Sequence, residues 1–198
     1  MHLYRRVGIY IGMAHRIISD DEFQAKALEL FRTYGFQGVS LKDLAEATGL
    51  EKASLYYRFP GGKDEIVMAV ATGVVRWFEA NVFALLAGEG APRKRVIYVC
   101  DRLREFYANG TKSCITDVLS IPGGSAELKT ALKGAMQAWI QAFAGVARES
   151  GFTQAAARAR AEEAVVRFEG SLVVTRVLGD SSTFERIIKL LPDLLTTP

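Results

Sequence analysis

Helical spacing of apolar residues, repeated from Ser19 to the end of the chain, is the feature that most limits how this sequence can fold. The first example begins at Ser19, which suits a helix N-cap, and ends at Gly35, where a left-handed conformation costs little. Between them apolar residues recur at spacings of three and four: Phe23, Ala27, Leu30, Phe31 and Tyr34. This pattern predicts an amphipathic helix over 19–35.

Caps, glycines and prolines predict further helices along the rest of the chain. They span 41–48, a short stretch within 51–59, about 63–87, 92–108, 125–149, 153–178 and 182–192. Residues 109–124 contain Asn-Gly and Pro-Gly-Gly and are predicted to be irregular. The valine-rich residues 172–177 could form a strand, but they lie in a long run without turn residues, which favours helix. We therefore predict an all-α fold with about eight to nine helices.

The lengths of these helices divide the chain. Residues 1–18 form an N-terminal arm, and 19–64 hold three short helices, which we call the head. Residues 65–198 hold the long helices, which we call the body. Because three short helices bury little surface alone, we expect the head to pack against the helix that starts at Lys63.

Two helices in the head have the spacing of a helix-turn-helix. They cover 41–48 and about 52–58, and Gly49 lies between them. Leu44, Ala45, Leu50 and Leu55 are placed to hold the two helices together. Five polar or amphipathic residues remain on the second helix, and several must face outward: Lys52, Ser54, Tyr56, Tyr57 and Arg58. In a helix-turn-helix, such residues contact base edges and backbone phosphates.

The net charge of the chain is compatible with nucleic-acid binding but does not by itself indicate it. The net charge is +3, and residues 1–64 carry nine Lys/Arg against eight Asp/Glu. A DNA-binding surface here would depend on where charges are placed. Lys63 lies at a helix N-terminus, where a cation is disfavoured, although Asp64 and Glu65 offset it. A phosphate bound there would offset the unfavourable positive charge at this helix end. The alternative is that Lys63 is a solvated surface lysine.

Little in the sequence points to catalysis, a metal or a cofactor. The only histidines are His2 and His15, in the N-terminal arm, and no phosphate-binding glycine loop or nucleophile elbow is present. Cys100 and Cys114 are isolated, which predicts reduced thiols, with a redox-sensing thiol as the alternative. No run of 18 uncharged apolar residues occurs, so we expect no membrane span and a cytoplasmic protein. We predict that the protein is not an enzyme.

Residues 19–66 resemble the DNA-binding head of TetR-family transcriptional regulators. The segment ALELFRTYGFQGVSLKDLAEATGLEKASLYYRFPGGKDEI matches the family pattern in register, at positions that include Gly35, Phe36, Ser40, Gly49, Phe59 and Lys63. The Gly-Gly before Lys63 resembles the LmrA/YxaF-like branch. The resemblance implies phosphate contacts by Ser40, Tyr56, Tyr57 and Lys63, and base contacts by Lys52 and Ser54, with Tyr57 shared. Glu51 departs from the Ser or Thr that usually caps the third helix, which puts base specificity there in doubt.

For the body, the resemblance implies dimerisation through its last two long helices, 153–178 and 182–195. Val165, Phe168, Leu172 and Thr175 form one apolar stripe and are taken as the dimer interface, while Val166, Val173 and Val177 form a second. A helix apolar on two faces fits a core and a partner, or the central helix of a monomer. An effector pocket is expected among helices 63–149, lined by Trp77, Phe78, Phe83, Phe106, Tyr107, Trp139 and Phe143. Each of these is also an ordinary core residue.

The function predicted from the sequence is a ligand-responsive repressor. It would bind a palindromic double-stranded DNA operator as a homodimer and be released by a small apolar or aromatic effector. The alternative is a helical small-molecule-binding protein that does not read DNA sequence.

Overall fold

The computed structural model describes residues 18–120 and 125–198. These residues form helices joined by short loops, with no strand among them. The helices are α1 Asp20–Gly38, α2 Leu41–Thr48, α3 Lys52–Arg58, α4 Lys63–Phe78, α5 Ala84–Ala87, α6 Pro92–Phe106, α7 Ile115–Ser120, α8 Ala126–Glu149, α9 Gln154–Leu178 and α10 Ser182–Thr196. A π-helical turn, Glu79–Phe83, joins α4 to α5. Counted as one helix, Lys63–Ala87 brings the described total to nine. The predicted all-α fold is confirmed; the predicted N-terminal arm, except Ile18, lies outside the described residues.

Polar caps start the helices where the sequence predicts them. The Ser19 hydroxyl accepts a hydrogen bond from the backbone N–H of Glu22, and Ser125 and Thr153 cap α8 and α9 in the same way. Ser40 and Asp43 form a reciprocal capping box at α2. These caps fix where each helix begins, and so which side chains face inward.

The core of the head is completed by helices of the body. Phe23 and Phe31 of α1 and Leu44 and Leu55 of the helix-turn-helix are buried together. They share one cluster with residues from three body helices: Ile66, Val67 and Val70 of α4, Ile115 and Leu119 of α7, and Leu128 of α8. The boundary at residue 64 stays a prediction, because the two parts share this core.

The helix Lys63–Ala87 carries the connection between the two cores. Its first turns supply Ile66 and Val70 to the head cluster, and its last turns supply Phe78, Val82 and Leu86 to the body cluster. Its length and mean hydropathy of 1.4 would suffice to cross a membrane, as is true of many core helices. Its apolar residues are used for packing within the protein.

The structure corrects three boundaries. Residues 115–120, predicted as irregular, form α7. The last helix continues past Pro192 to Thr196, because Leu194 and Leu195 are buried beyond it. Gly35, with φ 72°, kinks α1 where the sequence predicts an end, and a short helical stretch continues to Gly38.

A buried carboxyl group lies where α9 faces the segment before α7. Glu169 is half-buried beside the Cys114 thiol, its Oε1 makes no hydrogen bond within the described residues, and Arg176 and Asp117 are the nearby charges. Burial raises the pKa of Glu169 from about 4.5 to about 7. The unfolded chain therefore loses this proton at lower pH than the folded one, so the contribution of Glu169 to stability falls as pH rises from about 4.5 to 7.

We predict that Glu169→Gln raises the free energy of unfolding at pH 8 by about 1–3 kcal/mol and leaves it almost unchanged near pH 4.5. The amide removes the buried charge that forms at high pH. Urea unfolding at the two pH values measures the difference. Glu162→Gln, on the exposed side of the same helix, is the matched control and should show no such pH dependence. A Glu169→Gln difference that is equal at both pH values would contradict the prediction.

Candidate DNA-binding surface and ligand cavity

Helix α3 exposes the aromatic and basic residues that the sequence singles out. Gly49, with φ 72°, ends α2 and turns the chain into α3, and buried Leu55 anchors the inner face of α3. Tyr57 is 91% exposed and Tyr56 is 55% exposed, and Lys52 also faces solvent. The α3 surface thus presents hydroxyl and ammonium groups to solvent.

Other positions at the ends of α3 are less open. Ser54 is only half-buried and remains accessible beside Lys52. Glu51 occupies the N-cap of α3 without making a side-chain cap, so its carboxylate is exposed next to the proposed base-contacting residues. Arg58 turns inward, where it pairs with Asp20 and donates to the carbonyl of Ile18. Arg58 therefore does not contribute to the exposed α3 surface.

Ser40 is exposed, but its hydroxyl is already in use. It accepts from the backbone N–H of Asp43 at 3.2 Å and donates to Asp43 Oδ2 at 2.7 Å. The hydrogen bonds that the Ser40 hydroxyl and the Ser40 backbone N–H donate to the Asp43 carboxylate lower the pKa of Asp43. A phosphate contact by this hydroxyl would require it to rotate away from Asp43.

The ammonium of Lys63 has partners within the chain. Its Nζ donates to the carbonyls of Phe36, at 2.9 Å, and Val39, at 3.0 Å, and lies 4.4 Å from the centre of the Phe36 ring. Lys63 thus completes the C-terminal end of α1, where a cation is favoured. No local sequence signal indicates this role, because the partners lie 27 and 24 residues away. One N–H remains for a phosphate.

The main cavity lies in the body, between the rod Lys63–Ala87, α8 and the start of α7. Its volume is about 350 Å³, within the range of small-molecule sites. Phe78, Phe83, Tyr107 and Trp139 line it, as the sequence predicts, together with Thr116. Small residues of α8, Ala131, Gly134 and Ala135, leave the space open.

Three of the expected pocket residues lie elsewhere. Trp77 and Phe106 stack on each other, with ring centres 4.0 Å apart, and line a separate groove against α1. Phe143 is fully buried in the body core and does not line the cavity. The aromatic residues indicate where the cavity lies. Whether a given ring reaches the cavity depends on the face of the helix that carries it.

The thiol of Cys114 and the phenol of Tyr107 in the cavity wall are neutral. Burial raises the pKa of Cys114 to about 12 and that of Tyr107 well above its usual value, and the Tyr107 hydroxyl lies 3.5 Å from Cys114 Sγ. Burial also raises the pKa of Cys100 to about 12, so neither thiol has the thiolate character of a redox sensor. Trp139 Nε1 is buried and has no hydrogen-bond partner among the described residues, so the wall holds an unused hydrogen-bond donor.

The junction between head and cavity centres on Arg32 of α1. This guanidinium is buried, lies 4.4 Å and 5.4 Å from the centres of the Phe106 and Tyr107 rings, and donates to the carbonyl of Phe106. Two of its nitrogens have no partner. Because Tyr107 also lines the cavity, one ring separates the cavity from a residue of the head.

The prediction for the dimer interface chose the wrong face of α9. Val165, Phe168, Leu172 and Thr175 are buried in the core of their own chain and cannot contact a second one. The second stripe is the exposed one: Val166 is 71% and Val177 is 78% exposed, and Val173, Val174 and Leu178 also face solvent. The sequence shows two stripes, but only packing against α8 and α10 tells them apart.

Comparison with known proteins agrees with this arrangement. Residues 25–70 match the family model "Bacterial regulatory proteins, tetR family", and residues 101–190 match "Transcriptional regulator LmrA/YxaF-like, C-terminal domain". The HTH-type transcriptional regulator LmrA of Bacillus subtilis is 22% identical, over 89% of this chain and 96% of LmrA.

Solved structures share the fold. A TetR transcriptional regulator from Legionella pneumophila superposes with a TM-score of 0.79 at 21% identity, covering 91% of this chain and 99% of that one. FadR of Bacillus subtilis, solved with stearoyl-CoA, superposes with a TM-score of 0.67 at 12% identity, covering 88% and 96%. The chain belongs to the TetR family of transcriptional regulators, with a helix-turn-helix DNA-binding domain and an LmrA/YxaF-like C-terminal domain.

Proposed function

We propose that this regulator is a repressor that binds a palindromic operator as a homodimer and leaves it when a small apolar or aromatic effector enters the body cavity. The observation that carries the DNA-binding part is the α3 surface, where Lys52, Tyr56 and Tyr57 are exposed while Leu55 holds the helix in place. Exposed aromatic hydroxyls and a lysine on one short helix suit a phosphate backbone and base edges.

The DNA contacts are proposed for the residues expected from the sequence, with one adjustment. Tyr56 and Tyr57 would contact phosphates, and Lys52 and Ser54 would face base edges. Ser40 and Lys63 already form hydrogen bonds within the chain. They would contact phosphates only through the hydrogen-bonding positions that these contacts leave free. Lys42 lies 3.6 Å from Glu46, whereas Lys52 makes no ion pair within the described residues, so Lys52 is the main free cation there on the α2–α3 surface.

The dimer is proposed to form through the exposed face of α9 together with α10. Val166, Gly170, Val173 and Val177 follow spacings of four, three and four, the pattern of a helix–helix seam. Gly170 has open space where a Cβ would be, so a second helix can approach closely. A two-fold axis would set the two α3 helices for half-sites about 34–36 Å apart, or a multiple of that.

Effector response is proposed to pass through the helices shared by both cores. The rod Lys63–Ala87 lines the cavity at Phe78 and is tied to α1 by Lys63, and α7 lines the cavity at Thr116 and packs in the head at Leu119. An effector that fits better when these helices shift would favour a head spacing that does not fit the operator.

The experiment that tests the DNA-binding function is selection from a random duplex library at two salt concentrations. We expect an enriched palindrome that is lost more readily at high salt, because phosphate contacts release counterions. A folded protein that enriches no sequence at either salt concentration would favour the alternative, a helical ligand-binding protein without sequence-specific DNA binding. Two observations favour this alternative: the carboxylate of Glu51 is exposed at the start of α3, and Arg58 faces inward.

We predict that Tyr57→Phe weakens binding to the selected operator about fivefold, because one hydrogen bond to phosphate is lost at about 1 kcal/mol. Lys52→Ala should also weaken operator binding, by about 1–3 kcal/mol, and relax the preference at the base it faces, because Lys52 is proposed to contact a base edge. Fluorescence anisotropy with the operator and its single-base variants measures both. Tyr98→Phe, an exposed tyrosine on α6 of the body, is the matched control. Equal losses for Tyr57→Phe and Tyr98→Phe would remove α3 from the proposed interface.

We predict that Val177→Glu converts the dimer to a monomer at micromolar concentration, because the two-fold axis places both carboxylates in the apolar seam. Sedimentation velocity measures the state, and operator affinity should fall at least about tenfold as the two half-sites lose their linkage. Ile97→Glu, an exposed apolar residue on α6, is the control. A Val177→Glu protein that remains dimeric would place the interface elsewhere.

A further inference from the structure

We propose that the effector is a lipophilic cation, with an ammonium group beside Glu79 and an apolar, ring-containing body among Phe78, Phe83 and Trp139. This inference rests on the proposed function, since it names the class of molecule that the same cavity takes. It is carried by the charge of the cavity wall, the shape of the π-helical turn and the chemistry of the aromatic lining.

Glu79 is the one lining residue of the main cavity that carries a formal charge. The other polar residues are Thr116, Tyr107 and Cys114, and the raised pKa values of Tyr107 and Cys114 keep both groups protonated. Glu79 is exposed at the cavity edge, and no ion pair engages it within the described residues. The wall is therefore apolar with a single negative charge at the edge.

The neighbouring charges do not cancel that of Glu79. A second cavity, of about 300 Å³, shares Val74, Val75 and Glu79 with the first and is also lined by Arg76. The Arg76 guanidinium is exposed and donates to Gln24 at 3.0 Å, toward α1. Arg32, the buried cation near Tyr107, does not line either cavity. On the other side, behind Cys114, Asp117 pairs with Arg176 at 3.6 Å, and burial raises the pKa of Glu169 to about 7, so these groups add little net charge.

The π-helical turn brings the carboxylate and two rings to one wall. The backbone N–H of Ala84 bonds to the carbonyl of Glu79, five residues earlier, as in a π-helix. Phe78 and Phe83 are also five residues apart; in an α-helix they would point in different directions, and here both line the cavity. Irregular turns of this kind are frequent at functional sites.

The aromatic lining suits an ammonium-bearing molecule. Phe78 packs edge-on against Trp139, with ring centres 5.1 Å apart, and lies 6.0 Å from Phe83. Ring faces attract cations, most strongly where water is excluded. The unpartnered Nε1 of Trp139 donates only, so the body of the ligand would also carry an acceptor to use it. A carboxylate ligand would meet Glu79 with the wrong sign.

Three probes of one ring skeleton test the charge preference: biphenyl-4-methylamine, biphenyl-4-methanol and biphenyl-4-carboxylate. Quenching of tryptophan fluorescence in the full-length protein at pH 7 measures each affinity. We expect the amine to bind about tenfold more tightly than the alcohol, and the carboxylate most weakly. Glu79→Gln should remove the advantage of the amine and leave the affinity for the alcohol unchanged. Glu89→Gln, an exposed glutamate in the loop before α6, should behave as the native protein.

The outcomes separate this inference from the proposed function. Equal binding of amine and alcohol, or an amine preference that survives in Glu79→Gln, overturns the cation assignment and leaves the cavity as the effector site. If none of the three probes binds a protein with native circular dichroism, both the cavity assignment and this inference fail. Operator binding in the absence of probe is independent of either result.

Discussion

The head cannot bury its own core, and the rest of the structure follows from that constraint. Phe23, Phe31, Leu44 and Leu55 come from three helices too short to enclose them, so α4, α7 and α8 supply the missing surface. The helices that do this are the ones that surround the body cavity. A change in cavity shape therefore has a short physical route to the head, since no flexible linker separates the two.

Two cations near the helix-turn-helix hold α1 in place. Lys63 joins the rod to the end of α1, and Arg58 joins α3 to the start of α1. Arg32 adds a third contact, from α1 to the ring of Tyr107 at the cavity wall. Because a close-packed interior transmits displacement, these contacts would move α1 with the body.

Local signals predicted most of the fold, whereas the positions that depend on long-range packing were missed. Ser19, Ser40, Ser125 and Thr153 cap helices because a hydroxyl near its own backbone acts within three residues. Helix α7 was hidden by the Asn-Gly and Pro-Gly-Gly around it, and only burial of Ile115 and Leu119 in a distant core explains it.

The candidate site shows the same division. The helical pattern marked a small set of outward candidates on α3, of which Tyr56 and Tyr57 face solvent and Arg58 does not. Aromatic character marked the region of the cavity, but it did not separate the rings that line the cavity from those that do not. The partners of Lys63 and the buried face of α9 could not be predicted, because they are set by residues far along the chain.

The separation of core and exposed residues within α3 also affects how such a regulator can evolve. Leu55 maintains the fold, whereas Lys52, Tyr56 and Tyr57 contribute almost nothing to the core, so substitutions at these exposed positions cost little stability. The cavity is built from other helices. Selection could thus alter the recognised operator and the recognised inducer by separate mutations, and gene duplicates could diverge in one while keeping the other.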